Sequence, residues 1–258
     1  DGVLIAFDQD PDAQKNLPEG DDRLKFIPSH FAELKRYVRF LGYQKVDGVL
    51  ADLGVSSHQF DEAGRGFSIR FSGDLDMRMD ASKGVSALEL IKTIKEEDLI
   101  KVLRQYGEIK SARKAAQIIQ ESVAENPELK TEELVEILEN KFPQNPKHQK
   151  QFLAQVFQAI RIEVNAEMKV LEQLLESLEE VIVEGGRAVF MSYHSLEDRL
   201  VKNLFKTGNI EGKLNKDFYG NLERSFKPLS SKPIVPSQEE IEYNPRSRSG
   251  KLRIAEKL

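Results

Sequence analysis

"VDGVLADLGVSSHQFDEAGRGFSIRFSGDLDMRMD", residues 46–80, joins two unlike patterns. Val46–Leu50 is an apolar run of strand length, and it delivers Asp52. Behind it come Gly, Ser, Phe, Asp and Arg with no helical or strand period. Loops longer than about 12 to 15 residues are uncommon and are usually functional or disordered. A carboxylate directly after "VLA", followed by Gly54 and two serines, is too polar a terminus for packing to explain, which favours function.

Working outward, Val3–Phe7 is a second apolar run, ending in "DQDPDA", and Leu24–Ile27 a third, followed by a helix over about Phe31–Leu41. Strands alternating with helices over such short distances predict an α/β fold with a parallel, doubly wound sheet. From about Val85 to Lys141 the pattern is helical throughout, broken at Gly107, Asn126-Pro127 and Pro143. A helical block inside an α/β chain reads as an inserted subdomain serving as lid or substrate platform. The expected division is 1–84 with 156–258 for the α/β domain and 85–155 for the helical insertion. One long helix is expected over Gln151–Val181, stopped by Gly185-Gly186. Its stripe of Phe152, Val156, Ile160, Val164, Leu171, Leu174 and Leu178 reads as core. "RAVFMSY" then reads as a buried strand, "SLEDRLVKNLF" as a helix capped by Ser195, residues 213–242 as polar and irregular, and Leu252–Ala255 as an edge strand.

Composition bounds the chemistry. With 258 residues and 40% apolar content the chain can bury a proper core. The absence of Cys removes disulfides, thiolate metal sites and cysteine nucleophiles, as expected of a reducing compartment. His30, His58, His148 and His194 are scattered without ligand spacing, so no metal is expected. No apolar run approaches the roughly 20 residues of a membrane span, and a cytoplasmic protein without membrane contact is expected. A net charge of -5 gives no global footprint for nucleic acid, although "NPRSRSGK" and "RLVKNLFK" are locally basic. The oligomeric state does not follow from these residues.

In open α/β sheets ligands bind beyond the carboxyl ends of the strands. Three such ends carry distinctive residues: Asp8, Asp52 and the "SYHS" of 192–195. Asp8 stands where an acid can accept hydrogen bonds from ribose hydroxyls, although an Asp ending a strand also serves as a turn or cap residue. Phe31 can cover an adenine ring or anchor the helix it opens. A nicotinamide oxidoreductase would need a G-x-G-x-x-G turn, and the chain has none.

"DLGVSS" with Gln59, "AGRGFSIR", "LDMRMD", "FQAIRIEVN", "SYHSLEDR" and "NPRSRSGKLRIAE" together resemble the bacterial ribosomal RNA small subunit methyltransferase H family. The likeness runs from Asp8 to the C-terminus, nearly the whole chain. It implies a class I, Rossmann-like methyltransferase with an inserted helical subdomain. It also implies methyl transfer from S-adenosylmethionine to the exocyclic N4 of a decoding-centre cytosine in 16S ribosomal RNA, with the small ribosomal subunit as partner. The cofactor residues it implies are Asp8 for the ribose, Phe31 for the adenine, Asp52 near the methionine moiety, and Gln59. Members carry a glycine-rich "GGGH"-like loop ahead of the segment that opens here at Asp1. A chain without it is expected to bind the cofactor weakly or not at all, and the alternative reading is an impaired RNA- or ribosome-binding fragment. Asp74 also stands where the family has proline.

A cytosine amino group is a poor nucleophile, so the site must hold it in line and accept its N–H bonds. Asp52, with carbonyls of the Leu53–Val55 turn, is the expected catalytic acceptor. Tyr193 and Phe67 are the candidates to stack on the base. Arg65, Arg70 and Arg78 are available for phosphates or for pairing with Asp74, Asp76 and Asp80.

Overall fold

In the computed structural model, which describes residues 2–18 and 20–258, the first apolar runs form β1 (Leu4–Phe7) and β2 (Leu24–Ile27), paired in parallel with Leu4 opposite Leu24. A 3₁₀ turn over Phe31–Glu33 leads into α1 (Leu34–Phe40), and β3 (Val46–Asp52) follows. Next come six helices: α2 (Ser57–Asp61), α3 (Ala87–Thr93), α4 (Glu96–Gln105), α5 (Ala112–Glu125), α6 (Thr131–Lys141) and α7 (Pro146–Val164). The chain closes with α8 (Glu167–Val181), β4 (Ile182–Ser192), α9 (Ser195–Thr207), β5 (Phe226–Pro228), α10 (Gln238–Tyr243) and β6 (Lys251–Lys257).

These elements form two units, Asp1–Gly54 with Met168–Leu258, and Val55–Glu167. In the first, a second sheet runs β3-β4-β6-β5, parallel between β3 and β4 and antiparallel on both sides of β6. The carboxyl ends of β3 and β4 therefore point the same way. The apolar residues of α8 recur at the 3.6-residue period, which puts Leu171, Leu174, Leu175 and Leu178 on one face. All four are buried with Ile182, Ala188 and Phe190 of β4 and with Val201 and Phe205 of α9. Each fully buried leucine contributes about 2 kcal/mol.

The units divide at 54/55 and 167/168, not at 84/85 and 155/156. The cause is the long segment after β3. Phe67, Leu75, Met77 and Met79 are buried in the core of the helical unit with Leu103, Ile119, Leu134 and Val156, so this segment folds as part of that unit. It is ordered by close approach. Gly66, with φ +73°, passes so near its own return that a Cβ there would sit 2.2 Å from Asp74 O. Met77 adopts φ 60°, a conformation a large side chain holds only where its surroundings enforce it.

Asn165, closing α7, supplies that enforcement. Its Oδ1 accepts from Met79 N–H at 2.8 Å, while its Nδ2 donates to Met77 O at 2.8 Å and Arg161 O at 2.9 Å. The "FQAIRIEVN" and "LDMRMD" segments are thus one clamp. Asn165→Ala leaves Met77 O and Met79 N–H without these partners and is expected to cost about 2 kcal/mol. The urea midpoint of the helical unit measures it.

The expected single helix over Gln151–Val181 is two, because Ala166 takes φ 49° directly after the Asn165 cap. Its apolar stripe is divided accordingly, Phe152, Val156 and Ile160 in one core and Leu171, Leu174 and Leu178 in the other. Gly185-Gly186 does not stop a helix. It lies within β4, where the β3 register slips between Val46 and Gly48, and a Gly186 Cβ would sit 2.7 Å from Asp47 O. The C-terminal strand β6 is not an edge, since the three-residue β5, too short to carry a period, covers its outer side.

Candidate functional site

β1 and β2 end together. Asp8 follows β1, and its amide donates to Ile27 O of β2 at 3.3 Å; Ser29, His30 and Phe31 follow β2. Asp8 Oδ1 accepts from Asp10 N–H at 2.8 Å. Partial loss of water pushes the Asp8 carboxyl up, a rise that this bond opposes and the Asp10 charge reinforces. Asp10, which motif spacing did not single out, caps the 3₁₀ turn Pro11–Asn16 by accepting from Asp12 N–H. That division leaves Asp8 at the strand end and gives Asp10 the capping task.

His30 and Phe31 meet edge to face with centroids 5.1 Å apart. The Nδ1 of His30 is buried without a hydrogen-bond partner, and burial lowers the imidazole pKa. A buried polar atom without a partner costs on the order of 1–3 kcal/mol. The donor set here, a carboxylate, an aromatic face and a spare imidazole nitrogen at two adjacent strand ends, fits an adenosine. His30 carried no sequence signal beyond its place next to Phe31.

At the ends of β3 and β4 stands a second constellation. Leu53 N–H donates to Met191 O at 3.0 Å, and Gly54 turns the chain at φ +87°. Asp52 is exposed, and its Oδ1 accepts from the Tyr193 hydroxyl at 2.9 Å. Burial, the bond to Asp52 and the charges of Asp52, Glu197 and Glu240 push the Tyr193 pKa up to about 12, so this hydroxyl remains a donor at every physiological pH. The Tyr193 ring lies in the space between two glycines: a Cβ on Gly54 or on Gly250 would touch it at 3.8 Å. The "DLG", "SYHS" and "SRSGK" segments therefore converge on one aromatic ring.

Buried Glu197 fixes the turn between β4 and α9. Its Oε2 accepts from Tyr193 N–H at 2.9 Å, and His194, not Ser195, is the N-cap of α9, with Nδ1 accepting from Glu197 N–H at 3.4 Å. The imidazole takes the cap because the chain is still extended at His194, with φ -138° and ψ 166°. Asp198, one residue on, ties α9 to β6, with Oδ1 2.6 Å from Arg253 Nε and Oδ2 3.3 Å from Lys251 Nζ.

Burial alone would raise the Asp198 carboxyl; the Arg253 bond and the charges of Arg253 and Lys251 outweigh it and hold the group low. A folded-state pKa below the unfolded value, about 3.9, gives stability that is complete above that pH and is lost as pH falls through the folded value. Urea midpoints taken downward from about pH 5 are expected to fall less steeply for Asp198→Asn than for the parent.

In the helical unit, Gln59 is buried in α2 and engaged in a capping box: its Oε1 accepts from Ser56 N–H at 3.0 Å, and its N–H donates to Ser56 Oγ at 3.2 Å. Phe67 is buried in this unit's core, which withdraws it as a stacking surface. Arg65 donates to Met79 O at 2.7 Å and to Arg78 O at 3.2 Å, and Arg78 pairs with Asp76 at 2.6 Å. Asp74 pairs instead with Lys130, and Asp80 with Lys83. Of the three arginines, Arg70 is the exposed one with its guanidinium outside these pairs. Thus Asp8 and Phe31 follow two adjacent parallel strands and Asp52 is bonded to Tyr193, all in one unit, and Gln59 belongs to the other.

No helix among the described residues is long and apolar enough to cross a membrane. The sequence model of the MraW methylase family matches residues 1–258. Among curated relatives, the ribosomal RNA small subunit methyltransferase H of Parabacteroides distasonis is 50% identical over a 260-residue alignment, covering all of this chain and 84% of its own. Its namesake in Bacteroides thetaiotaomicron is 48% identical over 256 residues, 99% of this chain and 83% of its own. That of Flavobacterium psychrophilum is 48% identical over 258 residues, 100% of this chain and 87% of its own.

Proposed function

The chain belongs to the MraW methylase family, and from that premise we propose that it methylates the exocyclic N4 of a cytosine in 16S ribosomal RNA, using S-adenosylmethionine, in the cytoplasm. The observation that carries the reading is the Asp52–Tyr193 pair at the carboxyl ends of β3 and β4.

The cofactor, when bound, supplies an electrophilic sulfonium methyl. Asp8 accepts from the ribose diol, Phe31 covers the adenine, and His30 Nδ1 offers the remaining polar contact on that side. Gln59 is assigned to the cofactor by family resemblance, through an amide whose oxygen already serves the capping box. Asp52 accepts an N–H bond from the cytosine amino group, which draws the nitrogen lone pair out of ring conjugation. The same carboxylate stabilises the positive charge that develops on nitrogen as the new bond forms, and takes the proton that the nitrogen then sheds to give the neutral product. Tyr193 does not touch the reacting atoms in this scheme. It holds one carboxylate oxygen, so that the other keeps a fixed direction. Carbonyls of the turn after Asp52 provide further acceptors.

A target base must leave its stack to reach such a site. We assign the helical unit and the basic segment around Arg246 and Arg248 to the RNA backbone, which lets a chain of net charge -5 bind a polyanion locally. The test is transfer of a labelled methyl group from S-adenosylmethionine to small-subunit RNA, with the protein produced from its full reading frame. Label in the RNA supports the reading; unlabelled RNA beside intact cofactor binding overturns it.

A further inference from the structure

The segment after α9 folds into a small hairpin that the site above does not use. Asn209 ties down its start, accepting from Lys213 N–H at 2.9 Å and donating to Lys213 O at 2.7 Å. Lys216 bridges Leu222, and Glu223 N–H donates to Asn215 O at 3.0 Å. The returning arm runs hard against the end of α9, where a Cβ on Gly208 would sit 2.4 Å from Glu223 O. The base of the hairpin is therefore fixed.

Its tip is fixed as well. The Asp217 carboxylate accepts from the N–H groups of Tyr219 and Asn221, both at 2.8 Å, and from the Asn221 side-chain amide at 3.0 Å. Those bonds hold the Asp217 carboxyl below its usual range, so its charge is committed to the turn. What the turn displays is two aromatic rings. Phe218 is 97% exposed and Tyr219 86%, nearly perpendicular at 88° with centroids 5.6 Å apart. Neither ring contributes to a core, and a rigid support holds both in water.

The surroundings are basic. Between residues 213 and 227 stand Lys213, Lys216, Arg224 and Lys227 against Asp217 and Glu223, and none of the four cations makes an ion pair among the described residues. Exposed rings beside unpaired cations match a ligand that is both flat and anionic. Unpaired nucleotides have that chemistry, since every base offers a π-face and every linkage a phosphate. We propose that Phe218 and Tyr219 form a platform on which unpaired bases of the RNA stack, with Lys213, Lys216 and Lys227 meeting the adjoining phosphates. This rests on the reading of the substrate as ribosomal RNA and adds to it a second contact of stated chemistry.

The chain contains no Trp, so Phe218→Trp places a single reporter at the tip. Addition of protein-free small-subunit RNA, or of a single-stranded oligoribonucleotide, is expected to quench its fluorescence. Phe218→Ala with Tyr219→Ala is expected to weaken binding to the same RNA about 10- to 100-fold. Affinity for S-adenosylmethionine stays unchanged, which shows that the variant is folded. Absence of quenching with unaltered RNA affinity overturns the platform. So does a loss of affinity seen with assembled subunits but not with protein-free RNA, which identifies a ribosomal protein as the partner. Both outcomes leave methyl transfer by the parent protein intact, whereas failure of that transfer removes the functional reading itself.

Discussion

Replacing Asp52 by alanine is expected to lower the rate of methyl transfer at saturating substrates about 100- to 1000-fold, the range seen when one preorganised electrostatic group is removed from a reaction centre. Asp52 is exposed and its partner is a single tyrosine hydroxyl, so the substitution leaves the β3 ladder intact and its effect falls on chemistry. Asp52→Asn separates the two contributions. It retains an acceptor oxygen but no charge, and is expected to recover a minor part of the rate. Tyr193→Phe keeps the ring between Gly54 and Gly250 and removes only the bond that orients the carboxylate. A loss of about tenfold is expected there, with the smaller size marking a positioning role. Single-turnover rates at saturating cofactor measure all three. A rate for Asp52→Asn equal to that of the parent would show that the charge has no part in the reaction.

The second large effect concerns folding. Gly66 and Gly84 have nearly the same backbone, φ +73° and φ +70°, but different surroundings. A Cβ at Gly84 meets nothing within 4 Å, while one at Gly66 would sit 2.2 Å from Asp74 O and 2.8 Å from Asp76 N. Gly84→Ala pays only the left-handed conformation, about 1 kcal/mol. Gly66→Ala must also push its own backbone away from the returning segment that carries Leu75 and Met77 into the core, both 2% exposed or less. A loss on the order of 4 kcal/mol is expected, which places it among the most damaging single substitutions. Urea denaturation of the two variants measures the difference. Similar midpoints would mean that the crossing at Gly66 yields without strain.

Much of this was legible in the sequence where a physical period or a polar break marked it. The short runs at β1, β2 and β3, the helical block and the acids at the strand ends all carried such marks. What escaped were tertiary decisions. Residues 56–80 have no period, and only the buried positions of Phe67, Leu75, Met77 and Met79 show that this segment folds with the helices. The break at Asn165-Ala166 is set by a side chain reaching residues 77 and 79, over 80 positions away in the chain. His30 and the 218–219 tip could not be weighed from residue type alone, because an orphaned nitrogen and an uncovered ring are properties of the folded surroundings.

In the proposed reaction the strand ends bearing Asp52 and Tyr193 present a cytosine amino group for methylation. The most direct measurement is mass spectrometry of nucleosides released from small-subunit RNA after treatment with the protein and S-adenosylmethionine. A new N4-methylcytidine, absent when the Asp52→Ala protein is used, is the predicted result. Methylation confined to ring carbon, ribose oxygen or another base would contradict it.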